Sequence, residues 1–149
     1  MKYVFDTDNC KRYRFPTHIN DIVIDRAESR ASEVFMVIVE PGKAVHFHSH
    51  DDYEQIFHII EGEGVLVVGP DKKEYEVRPG QVVRIPIGTI HSIRPKGDTL
   101  IRYLSIDCFF GPRKSAEPTW EDHVLAMCQE QGWDFDRVAE YKKKPPRSA

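Results

Sequence analysis

The run Gly42-Lys43-Ala44-Val45-His46-Phe47-His48-Ser49-His50, followed at once by Asp51-Asp52-Tyr53-Glu54-Gln55, is the densest concentration of metal-ligating side chains in the chain. On an extended segment residues two apart project to the same side. His48 and His50 can therefore share one cation through their Nε2 atoms, at roughly 2.0–2.2 Å per bond. A second segment, Gly80-Gln81-Val82-Val83-Arg84-Ile85-Pro86-Ile87-Gly88-Thr89-Ile90-His91, carries a further histidine just after a Pro-x-Gly reversal. Five of the seven histidines fall between positions 46 and 91. A third set lies toward the end of an apolar run, at Asp107, Phe109 and Arg113. An arginine fork binds a carboxylate bidentately, and a carboxylate beside a cation can move a proton between carbon and oxygen. An ion pair between Asp107 and Arg113 at the strand end is the plainer alternative.

These residues need elements to hold them. From about residue 20 to 109 the chain reads as short apolar runs separated by Gly, Pro, Asn and Asp. Strands are predicted at 21–25, 33–40, 44–50, 55–60, 64–68, 73–77, 82–85, 91–94 and 100–109. Turns such as Pro41-Gly42, Glu61-Gly62-Glu63-Gly64, Pro79-Gly80 and Lys96-Gly97-Asp98 punctuate them. Strands this short and this closely spaced argue for an all-β antiparallel sandwich or barrel. Within 55–60, strand alternation puts Gln55, Phe57 and Ile59 on one face and Glu54, Ile56, His58 and Ile60 on the other. A barrel interior favours the first set, which carries no formal charge. In 100–109, Tyr103, Ser105, Asp107 and Phe109 share one face. Beyond Gly111-Pro112 the pattern turns helical. Thr119 reads as an N-cap, Trp120, Val124 and Cys128 as a core-facing stripe, and Gly132 as a stop. A second short helix is predicted over 134–141, then a basic tail, Lys142-Lys143-Lys144-Pro145-Pro146-Arg147.

The chain has 149 residues, enough for one domain that buries about two-thirds of its unfolded surface. With 21 basic and 24 acidic residues the net charge is −3, without the basic excess of a nucleic-acid binder. No apolar run approaches the roughly 20 residues of a membrane span, and the first residues lack a secretory core. Three scattered cysteines, Cys10, Cys108 and Cys128, fit a reducing cytoplasm rather than a disulfide scaffold.

Together, residues 42–62 and 80–91 resemble the two motifs of the cupin superfamily, G-x5-H-x-H with a following Glu or Gln and Gly, and G-x5-P-x-G-x2-H, with 17 residues between them. The resemblance implies a single jelly-roll barrel over residues 20–115, an N-terminal extension over 1–19 and a helical extension with a tail over 116–149. It further implies a divalent metal (Zn, Ni, Fe, Mn or Cu) held by His48, His50, Gln55 and His91. Counting back from Gly62 places Gln55 at the variable ligand position, with Glu54 as the alternative. Pro95 stands where the second motif usually ends in Asn. His46 is expected at the rim, His58 on the outer surface, and His18 and His123 as ordinary exposed imidazoles.

The Asp107-x-Phe109-x-x-x-Arg113 run resembles the closing strand of the small cupins of pectin and alginate breakdown, which convert unsaturated uronates into linear keto forms. That likeness implies Asp107 and Arg113 as catalytic groups and Phe109, Arg113 and Tyr53 as substrate contacts, with Arg84 and Tyr75 as further candidates. The expected function is metal-dependent isomerase or lyase chemistry on a small anionic or sugar-like metabolite. A dioxygenase and a non-catalytic ligand-binding cupin are the alternatives. A homodimer is expected through the outward Ile56/Ile60 face. The C-terminal helix could pack on the barrel, cap the pocket or cross to a second subunit.

Overall fold

The computed structural model describes residues 1–113 and 116–141; the basic tail at 142–149 and Lys114 lie outside the described residues. Every strand pairing among them is antiparallel. The strands are β1 (Lys11–Arg14), β2 (Ile19–Ile24), β3 (Ser32–Val39), β4 (Tyr53–Glu61), β5 (Gly64–Val68), β6 (Lys73–Val77), β7 (Val82–Ile85), β8 (His91–Pro95), β9 (Ile101–Phe109) and β10 (Ala139–Tyr141). The helices are α1 (Trp120–Gln131) and the single turn α2 (Phe135–Val138). A seven-stranded sheet runs β10-β1-β2-β3-β9-β4-β7, and a three-stranded sheet runs β6-β5-β8.

Alternation makes the barrel. In β9 the residues Ile101, Tyr103, Ser105 and Asp107 are buried and their neighbours half-exposed; in β4 the buried set is Tyr53, Gln55, Phe57 and Ile59. These inward rows meet Leu66, Val77 and Ile93 of the small sheet in one hydrophobic core. Gly62 makes the β4–β5 reversal at φ +77°, where a Cβ would stand 2.0 Å from the Leu100 carbonyl oxygen. No other residue fits there.

Two expectations are corrected. The segment 44–50 is not a strand; it meets β8 through an isolated bridge, His48 to His91, and a backbone bond from Val45 N to Ile93 O. Side chains bond two of its carbonyls, the Ser92 hydroxyl to Val45 O and the His48 ring to His46 O, and so compete with ladder formation there. The predicted second helix stops after one turn. Residues 139–141 pair instead with β1, whose open edge offers more hydrogen bonds than a frayed turn. The N-terminal segment contributes β1 and the start of β2 to the large sheet.

Helix α1 follows its sequence signals. Thr119 and Asp122 close a capping box, Gly132 ends the helix at φ +73°, and Trp120, Val124 and Cys128 are buried against the barrel. Among the described residues, no helix is long and apolar enough to cross a membrane.

Candidate metal centre

Backbone pairing brings the two histidine segments together. His48 N bonds His91 O at 3.0 Å and His91 N bonds His48 O at 2.9 Å, while Gly88 N reaches His50 O at 2.7 Å. The His48 and His91 rings lie 4.5 Å apart, His50 is 4.6 Å from His48, and Tyr53 stacks on His50 at 4.3 Å. One nitrogen from each of the three rings lies within 4.8 Å of the others. His48 Nδ1 is 2.6 Å from the His46 carbonyl and His91 Nδ1 is 2.8 Å from that of Thr89. As Nδ1–H donors, both rings keep the Nε2 lone pair for a cation. Burial lowers all three pKa values, with His48 falling to about 4, so the rings are neutral and able to ligate at pH 7.

Gln55 lies against the cluster. Its Nε2 donates to Asp107 Oδ1 at 2.8 Å, and its Oε1 lies 3.2 Å from His91 Nε2. A neutral His91 cannot donate to both Thr89 O and Gln55 Oε1. With the proton at Nδ1, Nε2 and Oε1 are two acceptors face to face. Two ligand atoms bound to one cation by bonds of about 2.1 Å at an angle near 100° stand about 3.2 Å apart. His50 Nε2 is buried as well, and the His50 ring also interacts with Gln55. The donor set therefore fits a divalent metal. Glu54 points the other way and pairs with Arg84 across the outer surface at 3.6 Å.

Behind Gln55 lies a buried polar row. Glu33 of β3, Asp107 of β9 and Gln55 of β4 are directly opposite one another across three adjacent strands. Arg26 grips Glu33 with Nη2 at 2.8 and 3.2 Å. Burial pushes the Glu33 carboxyl up to about 7 against the pull of Arg26, and pushes Asp107 well above the usual carboxylate range. Burial thus biases both carboxyls toward their protonated forms, and Asp107 Oδ2 makes no hydrogen bond to the described residues.

A family model of the cupin domain matches residues 35–107. The chain belongs to the cupin superfamily. It is 33% identical over 82 residues to an uncharacterised protein of Methanocaldococcus jannaschii, covering 55% of this chain and 62% of that one. It is 24% identical over 144 residues to quercetin 2,3-dioxygenase of Bacillus subtilis, covering 93% of this chain and 41% of that one. The matches thus span less than two-thirds of either relative. The fold is shared with a predicted oxalate decarboxylase of Thermotoga maritima, with a TM-score of 0.65 and 20% identity over 72% of this cupin and all of that chain.

Beside the histidines the cupin encloses a cavity of about 450 Å³. Phe35, Val37, Phe57 and Ile93 supply apolar wall, and α1 closes one side with Trp120, His123 and Met127. The helix thus packs on the barrel and lines the pocket at once. Tyr53 lines the cavity, but Asp107, Phe109 and Arg113 do not. Asp107 is fully buried behind Gln55, and Arg113 lies over the Phe109 ring at 5.3 Å. Arg84 and Tyr75 line a separate surface hollow. The arginine that reaches the cavity is Arg26, which sequence reasoning missed. Its signal was Glu33, a charge on the inward face of β3 with Phe35, Val37 and Val39, which demands a buried cation. His123 also lines the cavity instead of lying exposed, with Nδ1 2.9 Å from Glu117 Oε1. His46 lines the cavity beside His48, and His58 is exposed.

His18 is buried too, against Phe15 and bonded to the Thr17 hydroxyl at 2.8 Å. Burial, reinforced by His46 and His48, lowers its pKa to about 3. The unfolded chain then binds more protons between pH 6.5 and 3. Stability present above pH 6.5 is therefore lost on acidification, by about 1.4 kcal/mol per pH unit for each such group. Urea unfolding of metal-free protein from pH 7 to 4 should show a slope that His18→Gln reduces by about one proton. An unchanged slope would refute the assignment.

Proposed function

We propose that this cupin is a metal-dependent enzyme of isomerase or lyase type. Its substrate is a small metabolite bearing one carboxylate beside a carbonyl or hydroxyl oxygen. The donor set carries the proposal: three neutral imidazoles and an amide oxygen, with no carboxylate of the described residues joining the cluster. A divalent cation held by His48, His50, His91 and Gln55 keeps its full charge and withdraws electron density from a carbonyl or carboxylate oxygen. The protein's own residues do the rest. The apolar wall lowers the local dielectric and strengthens every charge interaction in the cavity. Asn20 Oδ1, His46 Nδ1 and Ser105 Oγ are buried, line the cavity and have no hydrogen-bond partner among the described residues, so they favour a polar occupant. Asp107 and Arg113 stand outside the lining, which leaves proton transfer to groups within it. The His123 ring, oriented by Glu117, has the chemistry for that role.

Charge restricts the substrate. Asp51, Asp52, Glu117 and Glu130 face the cavity, and its arginine, Arg26, is already engaged by Glu33. A second carboxylate on the substrate would find no free cation among the described lining residues, so monocarboxylic 2-oxo and 2-hydroxy acids are favoured over dianions. The test is elemental analysis of protein purified without added metal, followed by turnover of such acids with and without chelator. Absence of a first-row metal together with absence of chelator-sensitive turnover would sink the proposal.

The similarity to quercetin 2,3-dioxygenase over 93% of the chain supports a second reading, oxidative cleavage with dioxygen. Oxygen uptake coupled to substrate loss would establish it in place of the first. A metal-loaded protein that is stabilised by one acid and turns over none would instead be a binding cupin.

A further inference from the structure

We infer that Asp107 is a positioning residue, which fixes the direction of the Gln55 amide so that its oxygen, not its nitrogen, faces the histidine cluster. The inference deepens the metal-centre reading and rests on it. A glutamine amide has two ends of nearly equal size and opposite hydrogen-bonding character, and only its neighbours decide which end points where. Asp107 Oδ1, at 2.8 Å, accepts a hydrogen bond from Nε2, which turns Oε1 toward His91. Were the amide reversed, an NH2 group would face the imidazoles and could not ligate.

Asp107 is itself held. It is fully buried, directly opposite Glu33 on β3, and Glu33 is clamped by Arg26. Arg26 also donates to the Glu117 carbonyl at 3.3 Å and lies over the Trp120 ring at 5.5 Å. The orientation of the amide thus depends on a row that reaches from the C-terminal cap, through three strands, to the histidines. This accounts for a buried carboxyl that touches neither the cavity nor a cation of its own.

The test is the affinity of the full chain for Ni2+ and Zn2+, measured by calorimetry with a competing chelator. Asp107→Leu removes the acceptor and should weaken binding about 10-fold or more, the scale of outer-shell losses. Asp107→Asn retains an acceptor oxygen and should bind within about 3-fold of the parent. Adding Gln55→Glu to Asp107→Leu should restore affinity, because the two oxygens of a carboxylate are equivalent and need no orienting partner. Asp107→Val serves in the same way if leucine prevents folding, as judged by circular dichroism. Parental affinity in Asp107→Leu, or no recovery with Gln55→Glu, would overturn the inference. A parent chain that binds neither metal would instead overturn the metal-centre reading beneath it.

Discussion

Replacing His91 by alanine is expected to weaken the protein's hold on divalent metal by about two orders of magnitude. His91 is 2% exposed, its Nδ1 is bound to the Thr89 carbonyl, and its Nε2 sits 3.2 Å from Gln55 Oε1 and close to the other two rings. Apparent binding free energies of four-ligand zinc sites run to about 12 kcal/mol, or about 3 kcal/mol per ligand. Loss of one ligand then costs about two orders of magnitude in affinity. His48→Ala should behave similarly, whereas His58→Ala, on the outer face of β4, should bind as the parent does. Metal titration monitored by thermal unfolding reads this directly. The parent should gain stability with added Ni2+ or Zn2+, and His91→Ala should gain about 3 kcal/mol less at the same saturating concentration. An equal gain in both would place the cation elsewhere.

The second large effect is on stability. Arg26 and Glu33 have side chains 4% and 0% exposed and meet at 2.8 Å. Removing one partner of a buried pair costs about 3–5 kcal/mol, because the other is left charged and unsolvated. Arg26→Met should therefore lower the urea-derived unfolding free energy by about that amount at pH 8. Without the guanidinium, the Glu33 pKa rises further. A raised carboxyl contributes stability that is fully present below its unfolded value and is lost as pH rises through the folded one. The deficit of Arg26→Met should accordingly shrink toward pH 5. Arg26→Met/Glu33→Leu should recover most of the loss, since an apolar pair of similar volume replaces a buried ion pair at little cost. A single mutant within about 1 kcal/mol of the parent at pH 8 would show the pair to be solvated instead.

Much of the fold was legible because alternation and turn residues are local signals. The strands at 64–68, 73–77 and 82–85 stand where the Gly and Pro punctuation put them. Parity alone separated inward Gln55 from outward Glu54, because a one-residue shift moves a strand side chain to the opposite face. The segment 44–50 misled for a physical reason. Its residues favour extension, yet the Val45 carbonyl is bonded by Ser92 of β8 and the His46 carbonyl by the ring of His48 two residues on. The stretch after Asp134 misled because β1, far earlier in the sequence, supplies its partner, pairing Lys11 with Tyr141 and Tyr13 with Ala139.

The site divides along the same line. The sequence by itself determined the histidine pair, from spacing within one extended segment, and the neutral amide on the inward face, from strand parity, while the pairing with the Pro-x-Gly-x2-His segment came from the resemblance to the cupin motifs. Only the tertiary structure decided that Asp107 stands behind Gln55 rather than beside the cavity. It alone showed that Arg26, not Arg113, is the arginine that reaches the pocket, and that α1 brings His123 and Glu117 to its wall. Each of these depends on contacts between residues tens of positions apart, where hydrophobic packing and the shortage of buried hydrogen-bond partners choose the arrangement. No local pattern encodes that choice.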